Sequence, residues 1–248
     1  MDRITILTGA GISAESGLAT FRDSDGLWEN HRIEDVATPE GFARSPELVH
    51  RFYDLRRAQA QTVQPNSAHL ALARLEAELG DRVTVITQNI DDLHERAGSS
   101  RVLHIHGELL KALCTTCGAR TSWTGPLADR PACPVCGDAA LRPDVVWFGE
   151  IPYRMDEIEQ AVEECDTFVV VGTSGVVYPA AGLAGLARGH GARTVLLNLQ
   201  EQDGWTSYDE VHLGPAGTVV PEWVDSVLGS TGSVTTIELT QQRLRGHR

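Results

Sequence analysis

The stretch VTVITQNIDDLHERAG, residues 83–98, decides the fold of this chain. Its first five residues are apolar enough on both faces to form a buried strand of a parallel sheet that helices cover. Amide, carboxylate and imidazole groups follow within the next positions. Asn and Asp commonly open helices, so a polar turn with a helix cap is one interpretation of this cluster. A ligand site at the end of the strand is the other.

Three more apolar runs are each followed by a polar cluster. GAGIS (9–13) follows ITILT (4–8). GTSG (172–175) overlaps the end of TFVVVGT (167–173), and NLQ (198–200) overlaps the end of RTVLLNL (193–199). Helical spacing predicts helices at 46–62, 67–79, 153–164, 179–189 and 217–228, and residues 234–239 could add an edge strand. This alternation indicates an α/β fold with a doubly wound parallel sheet. Ligands bind at the carboxyl ends of such strands, so the four clusters should meet in one crevice.

The bulk composition favours a globular enzyme over a nucleic-acid-binding protein. The chain has 248 residues, 42% of them hydrophobic, which is enough for one large domain with a small insert. A net charge of −13 opposes a nonspecific grip on nucleic-acid phosphates. No charged leader followed by an apolar stretch and no apolar run long enough for a bilayer are present, so we expect a cytoplasmic protein without a membrane span.

The glycine-rich segment TGAGISAESG, residues 8–17, predicts a phosphate-binding turn. It puts Gly9 and Gly11 between a strand and a helix, where backbone amides can face a pyrophosphate. The third glycine of the ordinary dinucleotide fingerprint would fall at Ala14, and no acidic residue ends a second strand about 20 residues later. These departures argue against a generic dehydrogenase. A tight turn capped by Ser13 is the alternative.

Four of the five cysteines have the spacing of a tetrahedral zinc site, Cys-x2-Cys-x15-Cys-x2-Cys. Four thiolates leave no open coordination position, so the predicted ion is structural. The predicted ligands are Cys114, Cys117, Cys133 and Cys136. A redox dithiol or chance pairing is the alternative. A nucleic-acid-binding ribbon is disfavoured, because residues 112–140 contain only two cations, Arg120 and Arg130.

Six motifs occur along the chain in this order: GAGISAESGLATFRDSDGLW, TQNIDDLHERAG, HIHGEL, the cysteine quartet, GTSGVVYPA and LNLQ. In this order they resemble the sirtuin family of NAD-dependent protein lysine deacylases, over about residues 4–228. The resemblance implies a Rossmann-like NAD-binding domain formed by 1–24, 71–110 and 143–230. It also implies a small domain, formed by a helical module at 25–70 and the zinc ribbon at 111–142, and a C-terminal tail at 231–248.

The resemblance also implies which residues bind NAD, so that the polar cluster after residue 87 contacts a ligand and does not cap a helix. Phe21 and Arg22 would belong to a loop that orders over the bound NAD and excludes water. The other implied contacts are Gly9, Ala10, Gly11 and Ser13 at the pyrophosphate; Gln88 and His106 at the nicotinamide ribose; Asn89, Ile90 and Asp91 at the carboxamide; and Ser174 and Asn198 at the adenosine ribose, with Gly172 and Gln200 beside them.

A mechanism follows from the same resemblance. In similar proteins the acyl-lysine oxygen attacks the ribose C1′ of NAD and nicotinamide leaves. A histidine base then deprotonates a ribose hydroxyl that attacks the imidate carbon, and the product is O-acyl-ADP-ribose. His106 matches that base, and an imidazole with a pKa near 6.5 suits the task. Asn89 and Asp91 match the other catalytic positions. His104, on the same strand face, is the alternative base.

The segment RFYDLRR, residues 51–57, bears on the acyl group. Tyr53 and Arg56 lie three residues apart and hence on one helix face, beside an apolar stripe that we predict from Leu48, Phe52 and Leu55. The Tyr-x-x-Arg pattern resembles the sirtuin subclass that removes succinyl and malonyl groups. A guanidinium can clamp a carboxylate with two hydrogen bonds, and a tyrosine hydroxyl adds a donor. A surface arginine beside a half-buried tyrosine is the alternative.

The resemblance further implies a substrate channel and a set of partners. Acylated lysine in proteins or peptides is the expected partner. NAD and one structural zinc ion are the expected cofactors. The expected oligomeric state is a monomer. An NAD-dependent ADP-ribosyltransferase and a noncatalytic NAD- or ADP-ribose-binding zinc-ribbon module remain alternatives. The implied channel and peptide-pairing residues are Ala14, Val146, Trp147, Phe148, Gly149 and Glu150.

Overall fold

The computed structural model describes residues 2–18, 27–28, 31–174, 179–200 and 207–229. Phe21 and Arg22 therefore lie outside the described residues, as do the predicted tail and the predicted edge strand at 234–239. In the described part, none of the helices is long and apolar enough to cross a membrane.

The strands and helices have the following bounds. The strands are β1 (Ile4–Thr8), β2 (Leu27–Trp28), β3 (His31–Arg32), β4 (Val83–Thr87), β5 (Val102–His104), β6 (Gly107–Cys114), β7 (Arg120–Ser122), β8 (Leu141–Val145), β9 (Thr167–Val171), β10 (Arg193–Asn198) and β11 (Glu210–Leu213). The helices are α1 (Ile33–Val36), α2 (Pro39–Arg44), α3 (Pro46–Thr62), α4 (Ser67–Leu79), α5 (Leu93–Ala97), α6 (Met155–Glu163), α7 (Leu183–Gly189) and α8 over 216–229.

Six strands form a parallel sheet in the order β11-β10-β9-β1-β4-β5. This is the strand order of dinucleotide-binding α/β folds, and the order reverses between β1 and β9. The four predicted strands are confirmed. The sequence analysis placed His104 on a strand, and β5 ends at this residue; it did not identify β11, because β11 is short and only partly buried and so lacks a continuous apolar run.

Helices cover both faces of this sheet, which confirms the doubly wound architecture. On one face α4 and α8 pack against alternate strand residues such as Ile6 and Val169. On the other face α6 and α7 pack against the intervening residues, such as Leu7 and Phe168. Strand residues that are apolar on both sides are thus buried on both sides.

The predicted helices 46–62 and 67–79 coincide with α3 and α4. Local sequence explains the sharp boundaries, since Pro46 occupies the first turn of α3 and Asn66 forms a capping box with His69 at α4. The other predicted helices differ by one to four residues: α6 is shorter at both ends, a 3₁₀ turn (Ala180–Gly182) precedes α7, and α8 is one residue longer at each end.

The predicted apolar stripe of α3 is wrong in one position. Leu55 is 69% exposed, whereas Val49, Phe52, Tyr53 and Ala60 are buried. Because the tyrosine ring packs among aromatic neighbours, Tyr53 lies within the buried stripe and not on its flank. The helix therefore turns a different face to the core than its aliphatic residues alone indicate.

A second, antiparallel sheet has the strand order β7-β6-β8. It begins directly after His106, and β6 ends at Cys114. The four-cysteine segment packs around Leu127 and Leu141. The small helices α1 and α2 and the long α3 pack against Leu109, Val145 and Trp147. These elements form one side of the cavity described next.

Candidate functional site

One cavity of about 800 Å³ lies at the carboxyl ends of the parallel strands, and it falls within the size range of small-molecule sites. It opens between the parallel sheet and the layer formed by α3 and β8. The four polar clusters of the sequence meet here. Of the proposed ligand-binding residues, those that line the cavity are Gly9, Ala10, Gly11, Ser13, Ala14, Tyr53, Arg56, Gln88, Asn89, Ile90, Asp91, His106, Val146, Trp147, Phe148, Gly149, Glu150, Gly172, Ser174 and Asn198.

The floor of the cavity is formed by two loops in contact, after β1 and after β9. The Gly11 N–H donates to the Gly172 carbonyl over 2.7 Å. Gly172 has φ +59°, and a Cβ on it would lie 2.5 Å from the Ile12 nitrogen, so a side chain would push the loops apart. The predicted helix after this turn is wrong: two short 3₁₀ turns, Ala10–Ile12 and Ala14–Ser16, take its place.

Ser13, Asn89 and Asp91 form a buried hydrogen-bonded group beneath the cavity. The Ser13 hydroxyl donates to Asp91 Oδ2 over 3.1 Å and accepts from Asn89 Nδ2 over 3.1 Å, so Ser13 does not cap a helix. Asp91 does act as a cap in part, which corrects our expectation, because Oδ1 accepts from the Leu93 N–H at the start of α5. Burial raises the pKa of Asp91, and these two hydrogen bonds oppose the rise.

His106 lies in the turn between β5 and β6 and not on a strand as expected, and one of its ring nitrogens is held by a hydrogen bond. Its Nδ1 lies 3.1 Å from the Gln88 carbonyl oxygen, which can only accept, so Nδ1 carries the hydrogen and Nε2 is the basic nitrogen of the neutral ring. Burial lowers the pKa of His106 below 6.5, and the Gln88 carbonyl opposes this only partly. The neighbouring Gly107 has φ +82°, which fixes the turn that presents the imidazole. His104 is buried and does not line the cavity.

Tyr53 and Arg56 face the cavity from α3. The Trp147 indole N–H donates to the Tyr53 hydroxyl oxygen over 3.0 Å, and burial raises the pKa of this phenol. The Arg56 guanidinium lies 3.3 Å from the centre of the Phe52 ring, and its Nη1 donates to the Phe52 carbonyl. Arg56 is the one Arg or Lys among the described residues that line the cavity.

A second arginine, Arg142 on β8, holds the neighbouring part of the cavity wall. It binds Glu150 with two hydrogen bonds of 2.7 and 2.9 Å and stacks over the Trp147 ring at 3.5 Å. Glu150 also accepts from the Trp147 N–H, and these contacts lower its pKa against the effect of burial. Arg142 therefore neutralises the negative charge of Glu150. Arg56, which lines the same cavity, is not the cation that pairs with this carboxylate.

The end of the cavity near Ser174 and Asn198 differs from the expected set. The Gln88 amide donates to the Thr173 hydroxyl over 3.0 Å, and the sequence analysis did not assign a role to Thr173, although it quoted the GTSG cluster. Gln200 does not line the cavity. Its backbone carbonyl accepts a hydrogen bond of 3.0 Å from Asn198 Nδ2. The turn at Gly214 and Pro215 lines this end as well, and no motif in the sequence marks it.

The four predicted zinc ligands converge. Their Sγ atoms all lie within 4.8 Å of one another, with 3.7 Å between Cys114 and Cys136 and 3.8 Å between Cys117 and Cys133. Four sulfurs around zinc at about 2.3 Å would be about 3.8 Å apart in a tetrahedron, so the donor set fits the ion. The fifth thiol, Cys165, is buried elsewhere, and burial raises its pKa to about 11.

Comparisons with known proteins agree with this geometry. A family model described as the Sir2 family matches residues 9–179. A Salmonella typhimurium protein named NAD-dependent protein deacylase is 57% identical over 229 residues, which cover 91% of this chain and 84% of that protein. A protein of the same name from Escherichia coli K12 is 56% identical over 229 residues, covering 91% and 82%. A Sir2 homologue solved in complex with NAD is 42% identical, with a TM-score of 0.84 and coverage of 92% and 90%.

Proposed function

The chain belongs to the Sir2 family and is an NAD-dependent protein-lysine deacylase, and we propose that it prefers lysines carrying the acidic acyl groups succinyl and malonyl, with acetyl-lysine as a further substrate. One observation carries the proposal: Arg56 and Tyr53 face the cavity from one helix, and Arg56 is its one described Arg or Lys lining residue. A cation that lines the cavity favours an acyl chain that ends in a carboxylate.

The surroundings of Tyr53 support a role as hydrogen-bond donor. The Trp147 indole can only donate, so the Tyr53 oxygen must accept in that contact and the phenolic hydrogen points elsewhere. Burial keeps the phenol protonated, since it raises the pKa. The guanidinium of Arg56 presents five N–H groups in a plane, a geometry that clamps a carboxylate with two parallel hydrogen bonds. We propose Arg56 and Tyr53 as the donors to the acyl carboxylate.

We propose that NAD occupies the rest of the cavity. Bound NAD supplies an electrophilic ribose C1′ and nicotinamide as the leaving group. We propose that the glycine-rich turn holds the pyrophosphate, that Asn89, Ile90 and Asp91 hold the carboxamide, and that Ser174 and Asn198 hold the adenosine ribose. His106 accepts a ribose hydroxyl proton at Nε2, because Nδ1 is already bonded to the Gln88 carbonyl. Phe21 and Arg22, outside the described residues, keep their proposed place over the cofactor.

The two layers that border the cavity are proposed to bind different ligands. The parallel sheet with its loops binds NAD, while α3 and the β8 segment bind the acyl-lysine between them. Val146 and Phe148 would line the lysine channel beside Ala14, and the backbone of Gly149 and Glu150 would pair with the substrate strand. The zinc ion, with four thiolate ligands, has no open position and stabilises the ribbon.

A direct test compares one peptide carrying acetyl-, malonyl- or succinyl-lysine. Turnover with NAD is followed by mass spectrometry, and His106→Ala serves as the inactive reference. We expect higher kcat/KM for the two acidic acyl groups and nicotinamide release that requires the acylated peptide. Preference for acetyl-lysine would refute the acyl assignment, and transfer of ADP-ribose to an arginine or cysteine side chain would instead identify a transferase.

Substitution of Arg56 separates the acyl groups. In Arg56→Met we expect desuccinylation to fall at least about tenfold in kcat/KM, mainly through KM, because a charge-assisted contact is lost. Deacetylation should stay the same or increase. Arg51→Met is the matched control, since Arg51 lies on the same helix but is 63% exposed on its side chain. Equal loss of both activities in Arg56→Met would contradict a role in acyl selection and would indicate that Arg56 is structural.

A further inference from the structure

His104 precedes the proposed base by two residues, and it is buried with both ring nitrogens engaged. Nδ1 lies 3.1 Å from the Asn89 carbonyl oxygen, and Nε2 lies 2.7 Å from Glu95 Oε1 on α5. His104 is 7% exposed and does not line the cavity, so it cannot be the general base. Its two contacts nevertheless tie the proposed NAD-binding segment to a helix behind it.

Both partners of His104 are hydrogen-bond acceptors. A backbone carbonyl accepts only, and an ionised carboxylate accepts only. A neutral imidazole has a single N–H and can satisfy one of them, whereas an imidazolium satisfies both. Glu95 keeps 41% of its side-chain surface exposed, where water can solvate a carboxylate. The geometry therefore fits a positively charged His104 paired with a negatively charged Glu95.

The charged groups around His104 agree with this assignment. Although burial opposes a charged ring, the hydrogen bond and charge of Glu95, with Glu108 on β6 and the Asn89 carbonyl, raise the pKa of His104 above 6.5. On α5, burial and the nearby histidines keep the pKa of His94 well below that value, so His94 is neutral. Asp91, just before α5, has its pKa raised by burial, and the charge of His104 opposes the rise.

Three successive carbonyls of the NAD-binding segment are held by donors from residues 104–109. The Gln88 carbonyl accepts from His106, the Asn89 carbonyl from His104, and the Ile90 carbonyl from the Leu109 N–H at 2.7 Å. Of these donors, His104 is the one whose hydrogen bond depends on a charge. If it deprotonates, either the Asn89 carbonyl or Glu95 faces a nitrogen lone pair, so the bridge that ties the segment to α5 is broken at one of its two ends.

We propose that protonated His104, paired with Glu95, is a positioning residue that holds the Gln88–Asp91 segment in its NAD-binding conformation, and that its deprotonation weakens NAD binding at alkaline pH. The inference rests on the proposed contact of this segment with NAD. It assigns no chemical step to His104, which acts through the Asn89 carbonyl and through its charge near Asp91.

The protonation state is tested directly by ¹⁵N NMR of the histidine rings in the full, zinc-loaded chain. The signals of His104 are identified by their loss in His104→Gln. We expect both ring nitrogens to be protonated at pH 7, with a titration midpoint above 6.5 that moves down in Glu95→Gln. A neutral His104 tautomer at pH 7 would overturn the proposal, and this result does not depend on any catalytic activity.

The positioning role is tested by the Kd of NAD, measured by calorimetry across pH, together with kcat and KM for an acetyl-lysine peptide. In Glu95→Gln we expect the alkaline loss of NAD affinity to begin about one pH unit lower, which is about a tenfold weaker Kd in that range. His104→Gln keeps an N–H donor for the Asn89 carbonyl and should lack this alkaline loss. In both variants kcat should change less than KM for NAD.

A matched control is available in a second His–carboxylate pair, His212 with Glu210 on β11, outside the cavity lining. His212→Gln should leave the pH dependence of NAD affinity unchanged. A uniform loss of affinity at all pH values in Glu95→Gln would assign the pair a purely structural role and refute the proposal. Because the peptide is acetylated, absence of a succinyl preference would count against the proposed acyl specificity alone.

Discussion

At the scale of single residues, the environment distinguishes two histidines that the sequence places on one strand face. His106 is bonded through one nitrogen and reaches the cavity, and burial lowers its pKa. His104 is bonded through both nitrogens, and its pKa is raised. The sequence alone could not separate them, because the difference arises from Glu95 on α5 and from the placement of the cavity.

The lowered pKa of His106 predicts the acid limb of the pH–rate profile. A base must be unprotonated to accept a proton, and a folded-state pKa below 6.5 keeps the ring neutral down to below that pH. We therefore expect the acid-side midpoint of kcat/KM for the acylated peptide to fall below pH 6.5. The measurement is kcat/KM between pH 5 and 8, with ¹⁵N NMR of His106 as the independent check.

The corresponding loss variant is His106→Ala. Removal of a positioned general base costs about 10²- to 10⁴-fold in rate, so turnover should fall by at least that much while NAD still binds. An acid midpoint above 6.5, or residual turnover within tenfold of the parent chain, would mean that another group acts as the base.

At the scale of elements, α3 serves two sides of the molecule. Tyr53 and Arg56 face the cavity, while Asp54 and Arg57 face the zinc ribbon. Asp54 accepts from the backbone N–H groups of residues 127 and 128, and the buried Arg57 donates to the carbonyls of Leu109 and Gly125 and to Asp54. The ribbon thus fixes the helix that carries the proposed acyl-binding pair.

Arg57→Met is expected to loosen this attachment. Arg57 is 1% exposed and its ion pair with Asp54 measures 2.6 Å, so the substitution removes the counter-charge of a largely buried carboxylate and the donor to two carbonyls. We expect the free energy of unfolding to fall by about 3 kcal/mol, measured by urea denaturation of the zinc-loaded chain.

Arg51→Met on the same helix supplies the comparison. Its ion pair with Glu47 is 3.8 Å long and exposed on both sides, so its loss should cost under about 0.5 kcal/mol. Equal and small effects of the two substitutions would contradict a role for Arg57 in joining α3 to the ribbon.

At the scale of the whole molecule, two buried histidines join α4 and α5 beneath the parallel sheet. The rings of His69 and His94 lie 5.0 Å apart, and His94 Nε2 lies 3.0 Å from the Thr8 hydroxyl on β1. Burial lowers the pKa of His69 to about 4 and that of His94 well below 6.5. Both rings are therefore neutral in the folded chain at neutral pH.

These histidines predict a loss of stability in mild acid. A folded-state pKa below the unfolded value means that the unfolded chain binds protons that the folded chain does not, so stability is full above about pH 6.5 and falls as the pH drops toward 4. For His69 alone this amounts to about 3 kcal/mol. His104, with its raised pKa, acts in the opposite direction: its contribution to stability is present below about pH 6.5 and is lost as the pH rises above that value.

The measurement is urea unfolding at several pH values between 7.5 and 4.5, with His69→Gln as the test variant. Glutamine retains the capping box with Asn66 but does not titrate, so the dependence of stability on pH should flatten. His190→Gln, at an exposed position, is the control and should not change the slope. A slope that is the same in His69→Gln would show that other groups cause the acid sensitivity.

The sequence by itself determined the architecture and much of the site's composition. Apolar runs on both strand faces predict a covered parallel sheet, and the cysteine spacing predicts a tetrahedral site, because both signals depend on local periodicity. The polar clusters at strand ends meet as predicted, since parallel strands place their carboxyl ends at one edge.

Only the tertiary structure decided the burial, the partners and the charge of several residues that the sequence left ambiguous. Leu55 is exposed and Tyr53 buried because of the aromatic neighbours that α3 meets, and Asp91 both caps α5 and lines the cavity. The charge on His104 and the pairing of Arg142 with Glu150 depend on groups that are not adjacent in sequence. Burial and long-range partners set these properties, and no local pattern encodes either one.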